Sequence, residues 1–258
     1  METNHILSTK GLTKDFIGLR ALSELDIAVE REQIHGLIGP NGSGKTTFFN
    51  VVTGLLAATE GRIYFDGVDI TNVKPHVIAS MGISRTFQGG RIAPGMTVLE
   101  NVMSGAYVHS RLDIRGVFLR RFFTTSAQEA DMRRRALKLL ELVGLADSVE
   151  RWASELVWVQ RQLTQIARAL VSQPKLLLLD EPTGGMGVQE SQMVEHIIRQ
   201  ARSELGITVV VVGHDVRLVT TVSDWVTCIN FGHKIAEGTP EQVQNHPGVL
   251  EAYLGKEE

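Results

Sequence analysis

Apolar residues recur along the chain in two rhythms, and the alternation between them gives the order of elements. His5 to Leu12 and Leu25 to Val29 alternate apolar with polar positions, as half-buried strands do, with Gly18 marking a turn between them. Three short runs are mostly apolar: Gln33 to Ile38, Lys175 to Asp180 and Ile207 to Val212. Continuous runs of that length read as strands covered on both faces. Helical spacing appears in Met96 to Tyr107, Ser126 to Val143, Gln160 to Val171 and Val188 to Leu205. Thr97 and Glu100 form a capping-box pattern at the start of the first of these, and Gly144 follows the second as a C-cap. Between the first apolar run and Met96, Arg62 to Asp69 reads as a strand turning at Asp66-Gly67, Pro75 to Ala79 as a short helix and Gly82 to Phe87 as a buried strand. Two short strands, Trp225 to Asn230 and Lys234 to Glu237, flank a turn at Phe231-Gly232-His233, and Gly238-Thr239-Pro240 opens a helical tail. Strands alternating with helices predict an α/β fold with a mainly parallel core.

With 258 residues, 43% of them hydrophobic, the chain can bury one sizeable α/β domain with a smaller lobe. A formal net charge of −3 gives no whole-chain reason to expect a nucleic-acid partner. A lone cysteine, Cys228, rules out an internal disulfide framework and suits a reducing compartment. Met1 to Lys10 has no apolar core of signal-peptide type, and runs such as Val209 to Val212 are far too short to span a bilayer. A soluble, cytoplasmic protein is expected.

The chemistry concentrates where buried strands end. Gly39-Pro40-Asn41-Gly42-Ser43-Gly44-Lys45-Thr46-Thr47 follows the first apolar run and precedes a helical segment, and it fits the G-x-x-x-x-G-K-[ST] pattern of a phosphate loop. Glycines let the backbone curl around an anion, successive N–H groups point inward, and the helix N-terminus adds positive potential. Lys45 supplies a point charge for the terminal phosphates, and Thr46 offers a hydroxyl to Mg²⁺. Asp180 and Glu181 end the four-leucine strand, at the edge where open parallel sheets bind their ligands. Two carboxylates there suit a metal-side acid and a general base. Gly213-His214-Asp215 ends the next strand in the same manner, with Asp215 placed to cap the following helix. Phe16 stands upstream of the loop, where a ring either stacks on an adenine face or joins the core of a β layer. Arg111 to Phe123 mixes basic and aromatic residues: an exposed insertion packing its own aromatics, or a contact for a membrane surface or a partner.

In order, the phosphate loop, Gln88, a helical segment, Asp180-Glu181-Pro182 and a strand ending in His214 resemble the ATP-binding subunits of ABC transporters. Within these the pattern is similar to the branched-chain amino acid importer type, on Ile34 to Thr47, Ile83-Ser-Arg-Thr-Phe-Gln88, Met96 to Asn101 and Ile235 to Pro240. The resemblance covers Ile6 to Gly255. It implies an ABC ATPase fold: a P-loop core of mainly parallel sheet, an antiparallel β layer, and a helical subdomain at about 90–170 inserted in a single nucleotide-binding domain over 1–258. ATP and Mg²⁺ are the implied cofactors. Phe16 then falls at the adenine-stacking aromatic, Gln88 at a glutamine reaching Mg²⁺ and the attacking water, and Asp180 at the acid holding Mg²⁺ through water. Glu181 falls at the general base and His214 at the γ-phosphate contact. The implied partners are a second ABC ATPase subunit, transmembrane permease subunits and, indirectly, a periplasmic or extracellular substrate-binding protein, with the chain peripheral on the inner face of the membrane. Branched-chain or other amino acids, urea and amides are the substrate classes left open.

Two stretches depart from the family's pattern. Its signature reads Leu-Ser-x-Gly-Gln, completing a partner's site, and here the segment is Leu156-Val157-Trp158-Val159-Gln160. Val157 removes a hydroxyl and Val159 replaces a glycine that permits close backbone approach. Gly185-Met186-Gly187 lacks the Asp expected after the catalytic strand. A heterodimer with a related subunit bearing an intact signature would preserve one good site, and is the expected assembly. A soluble ABC-type ATPase acting on ribosomes or DNA would need two such domains or a long inserted arm, and no Asn-Lys-x-Asp guanine reader supports a GTPase.

Overall fold

A computed structural model describes residues 4–106, 126–213 and 216–254. It divides into two compact units, Met1–Arg85 with Lys175–Glu258, and Thr86–Pro174. The first holds two sheets. Strands β1 (His5–Phe16), β2 (Leu19–Leu25), β3 (Ala28–Glu30), β5 (Glu60–Phe65) and β6 (Val68–Asp69) form an antiparallel layer in the order β2-β1-β5-β6, with β3 also on β1. The second sheet has the order β11-β10-β4-β9-β8-β7, built from β4 (Ile34–Ile38), β7 (Ile83–Arg85), β8 (Leu176–Asp180), β9 (Thr208–Val212), β10 (Trp225–Asn230) and β11 (His233–Gly238). All its neighbours are parallel except the β10–β11 hairpin.

The three apolar runs are the three central strands, and every residue of β4, β8 and β9 is buried. Helices α1 (Lys45–Val52), α2 (Pro75–Met81), α6 (Val188–Ser203) and α7 (Val216–Val222), with α8 (Pro240–Gln244) and α9 (Pro247–Leu254) in the tail, complete the unit. Phe48, Phe49, Val51 and Val52 of α1 share one buried cluster with Leu7, Leu22, Ile63 and Phe65 of the β layer and Leu37, Leu176 and Val210 of the parallel sheet. The phosphate-loop helix is thus fixed by core packing.

Asp66 and Gly67 both take positive φ, 51° and 78°, as the expected two-residue hairpin turn requires. The expected strand Leu25 to Val29 is corrected: β2 ends at Leu25 and β3 begins at Ala28. The reason is the Thr9 side chain, which enters the ladder, donating to the Leu25 carbonyl at 2.7 Å and accepting from the Ile27 N–H at 3.0 Å. A side chain that takes over two backbone partners interrupts the strand.

In the second unit lie α3 (Val98–Ser104), α4 (Ser126–Leu142), α5 (Trp158–Leu170) and short 3₁₀ turns at Ala146–Ser148 and Ala153–Glu155. The capping box at α3 forms: the Thr97 N–H donates to Glu100 Oε2 at 2.8 Å, and the Glu100 N–H to Thr97 Oγ1 at 3.2 Å. Buried Asn101 knits the entry to this helix, its amide donating to the carbonyls of Ala93 (3.0 Å) and Thr97 (2.9 Å) and accepting from the Ala93 N–H (2.7 Å). Helix α5 begins two residues before the expected Gln160, because the Gln160 side chain reaches back to accept from the Val157 N–H at 3.3 Å. The basic and aromatic run 111–123 lies outside the described residues, as do His214 and Asp215.

Candidate nucleotide site

The register of the parallel sheet sets the geometry of the site. Leu37 on β4 and Asp180 on β8 both pair with Val212 on the intervening β9, so β4 and β8 end level with each other. Two strand spacings separate them, about 10 Å. The phosphate loop leaves one strand and the two acids leave the other, on one sheet edge.

Within the loop, two glycines are dictated by space. Gly39 has φ 156°, and a Cβ there would stand 2.1 Å from the Ile229 carbonyl and 2.6 Å from Ser43 Oγ. Gly44, the N-cap of α1, has φ 109°, and its Cβ would meet the Ala21 carbonyl at 2.6 Å. Lys45 opens the helix and folds its ammonium back over the loop, donating to the carbonyls of Gly39 (2.7 Å) and Pro40 (2.9 Å) and to Ser43 Oγ (3.3 Å). These bonds hold in place the charge that a phosphate would draw out. Burial lowers the Lys45 pKa, against the opposing pull of Glu181, Cys228 and Asp180. The group therefore sits among carboxylates and still has a desolvation cost that an anionic ligand would offset. Thr46 is exposed at the helix start, with Asn41 and Gly42 exposed in the loop ahead of it and Thr47 half-buried behind it.

Asp180 is 3% exposed, and Arg85 Nη2 donates to its Oδ2 at 2.7 Å. Arg85 comes from the end of β7, where it pairs with Leu178, two residues short of Asp180 on the neighbouring strand. Its other terminal nitrogen donates to Asn50 Oδ1 of α1 at 2.7 Å, and its guanidinium lies 5.3 Å from the centre of the Phe49 ring. Sequence reasoning gave Arg85 no role. Its only signal is a charged residue inside a segment expected to be a buried strand. Glu181 follows in the left-handed region, φ 48°, held there by its N–H to the Val212 carbonyl (2.8 Å) and by the Gly184 N–H to its own carbonyl (3.1 Å). The chain leaves the strand direction at that residue, directly after β8 ends at Asp180.

Two further groups lie beside the loop. Cys228 is pushed up to about 12 by burial, with Lys45 opposing. The Tyr253 hydroxyl, on α9, is likewise raised by burial, and a hydrogen bond from the Gly39 backbone works against that shift. Phe16 ends β1 with 43% exposure and the Lys14 ammonium 5.1 Å from its ring centre. Its ring is therefore outside the core of the β layer.

Gln88 belongs to the second unit, where α5 grips the backbone on both sides of it. Gln165 donates to the Phe87 carbonyl at 2.7 Å and Arg168 to the Arg91 carbonyl at 2.6 Å. The same helix starts at Trp158, so the stretch around Gln88 and the segment Leu156 to Gln160 are tied to one rigid element. At its start, Val157 is 63% and Trp158 42% exposed, while Leu156 is buried. The residues present fit Mg²⁺, a hard cation that takes one or two protein oxygens beside substrate phosphates: Thr46 offers a hydroxyl and Asp180 a carboxylate.

Residues 22–184 match the ABC transporter family, and residues 233–258 match the branched-chain amino acid ATP-binding cassette transporter family. The chain is 39% identical over 252 residues to the high-affinity branched-chain amino acid transport ATP-binding protein BraF of Pseudomonas aeruginosa, covering 97% of this chain and 98% of that one. It is 37% identical over 253 residues to LivG of Escherichia coli, a protein described in the same terms, with the same two coverages of 97% and 98%. Among solved structures, the ADP conformation of an ATP-binding cassette of an ABC transporter superposes with a TM-score of 0.83 at 34% identity, covering 98% of this chain and 100% of that one. The fold expected from the sequence is therefore the observed one, and the chain belongs to the ATP-binding subunits of ABC transporters, nucleotide-binding ATPases that power transport.

Proposed function

We propose that this chain hydrolyses ATP to drive an importer of branched-chain amino acids, working from the inner face of the membrane with permease subunits and a second, different ATPase subunit. The observation that carries the reading is the contrast between its two contributions. The phosphate loop, Lys45, Asp180 and Glu181 are brought to one sheet edge, while the signature segment offers exposed Val157 and Trp158 in place of a hydroxyl and a glycine. Relatives described as branched-chain amino acid transport proteins match over nearly the whole chain, which supports that substrate class over urea, amides or other amino acids. Among the described residues no helix is long and apolar enough to cross a membrane; in this reading the permease subunits supply the membrane path.

In this mechanism the loop N–H groups and Lys45 receive the β- and γ-phosphates, and Phe16 stacks on the adenine. Thr46, Asp180 and, by the family resemblance, Gln88 would hold Mg²⁺, which would supply positive charge to offset that of the transferring phosphate. Glu181 accepts a proton from the attacking water, which must lie within hydrogen-bond reach of that base and opposite the leaving oxygen of ADP. His214 contacts the γ-phosphate, and the stretch around Gln88, gripped by α5, passes the change in occupancy to the permease. The partner's signature segment closes over this chain's nucleotide, while this chain's own segment makes the second site the weaker one. A binding protein outside the cell delivers the solute.

Reconstituting the chain with its companion ATPase subunit and permease in vesicles, with ATP on the side of the ATPase subunits and labelled leucine, urea or acetamide on the other together with the binding protein, tests the reading. ATP-dependent leucine uptake is the expected result. Uptake of urea or acetamide in place of leucine would overturn the substrate class.

A further inference from the structure

Arg85 performs no task in the mechanism above, yet it is a buried cation with several acceptors beside the site. Its side chain is 5% exposed and that of Asp180 is 3% exposed. It donates to Asp180 Oδ2 at 2.7 Å and to Asn50 Oδ1 at 2.7 Å, approaches Thr53 Oγ1 at 3.4 Å, and lies 5.3 Å from the Phe49 ring centre. Asn50, Thr53 and Phe49 lie on or directly after the phosphate-loop helix, and Asp180 ends the strand that carries the two acids. A planar guanidinium can hold two acceptors on two elements in fixed relation, which an ammonium on a flexible stem cannot. β7 places it there because its last residue lies beside Leu178 in the sheet.

We infer that Arg85 is a positioning residue: it fixes the Asp180 carboxylate relative to the phosphate-loop helix, and so sets how strongly Mg²⁺ tightens nucleotide binding. The inference rests on the reading of Asp180 as the metal-side acid. Outer-shell partners that orient the groups around a metal are often worth about 10- to 100-fold in metal affinity. Arg85 touches neither nucleotide nor metal in this account, so its loss leaves metal-free binding of the nucleotide intact.

Isothermal titration of the full-length chain with a non-hydrolysable ATP analogue, in EDTA and again in excess Mg²⁺, measures the tightening as a ratio of two dissociation constants. In Arg85→Lys the EDTA value is expected to match the parent, and the Mg²⁺ tightening to fall by about 10-fold or more. A folded Arg85→Lys that retains the parental ratio overturns the inference, as does an equal loss of affinity in both buffers, which marks a merely structural role. Should Arg85→Lys fail to fold, Asn50→Ala decides, since it removes the second anchor without touching Asp180. A smaller loss of the ratio in that variant supports the inference and an unchanged ratio overturns it. The premise is read separately in Asp180→Asn: Mg²⁺ tightening that survives there removes Asp180 as the metal-side acid.

Discussion

At the scale of single residues, Glu181 occupies a left-handed backbone conformation that costs a non-glycine residue roughly 1–3 kcal/mol. The hydrogen bonds to Val212 and from Gly184 hold it there. If Glu181 is the general base, Glu181→Gln keeps the shape and loses the proton acceptor. ATP binding should then be retained while turnover falls by about 10²- to 10⁴-fold, as single-turnover hydrolysis would report; parental turnover would remove the assignment. His35 makes a different prediction. It is buried on β4 with Nε2 paired to Thr227 Oγ1 at 2.9 Å, and burial lowers its pKa from 6.5 to about 4. A depressed folded-state pKa means that the unfolded chain takes the proton first. The neutral ring's stability is fully present above pH 6.5 and is lost as pH falls towards about 4, amounting to roughly 3 kcal/mol. Denaturant titrations across that window should show the loss in the parent and a flatter profile in His35→Leu.

At the scale of elements, what was legible in the sequence was what the local pattern dictates by itself. The runs ending at Ile38, Asp180 and Val212 became buried parallel strands, and Thr97 and Glu100 made both bonds of their box. The phosphate loop was legible because Gly39 and Gly44 are required by contacts their own Cβ atoms would make. The break at Asp26 and Ile27 was not, because it depends on Thr9, seventeen or so residues away in a neighbouring strand. Arg85 was invisible for the same reason: its partners Asn50 and Asp180 lie 35 and 95 residues off. Helix α5 carries a testable weakness. Its N-cap is Val157, whose side chain cannot accept from a backbone N–H, while Gln160 supplies only the return bond. Val157→Ser should complete the cap and stabilise the chain by about 1 kcal/mol, raising Tm by a few degrees. An unchanged or lower Tm would count against the half-built cap.

At the scale of the whole molecule, the proposed function has the chain supply one side of a nucleotide site in full and the other in reduced form. Its loop, Lys45, Asp180 and Glu181 converge on one sheet edge through the common register with Val212. Its signature segment places exposed Val157 and Trp158 where the family pattern has a hydroxyl and small residues. Loss of one hydrogen bond to a charged phosphate costs about 1.5–3 kcal/mol, enough to slow a site more than tenfold. Two copies of this chain would carry that loss twice, and a different partner with an intact signature would repair the site built on this chain's loop. The most direct measurement is steady-state ATP hydrolysis by the purified chain alone, and again after addition of its companion ATPase subunit. The account predicts weak activity alone and a rise of tenfold or more with the companion, abolished by Glu181→Gln in this chain; full activity from the chain alone would contradict it.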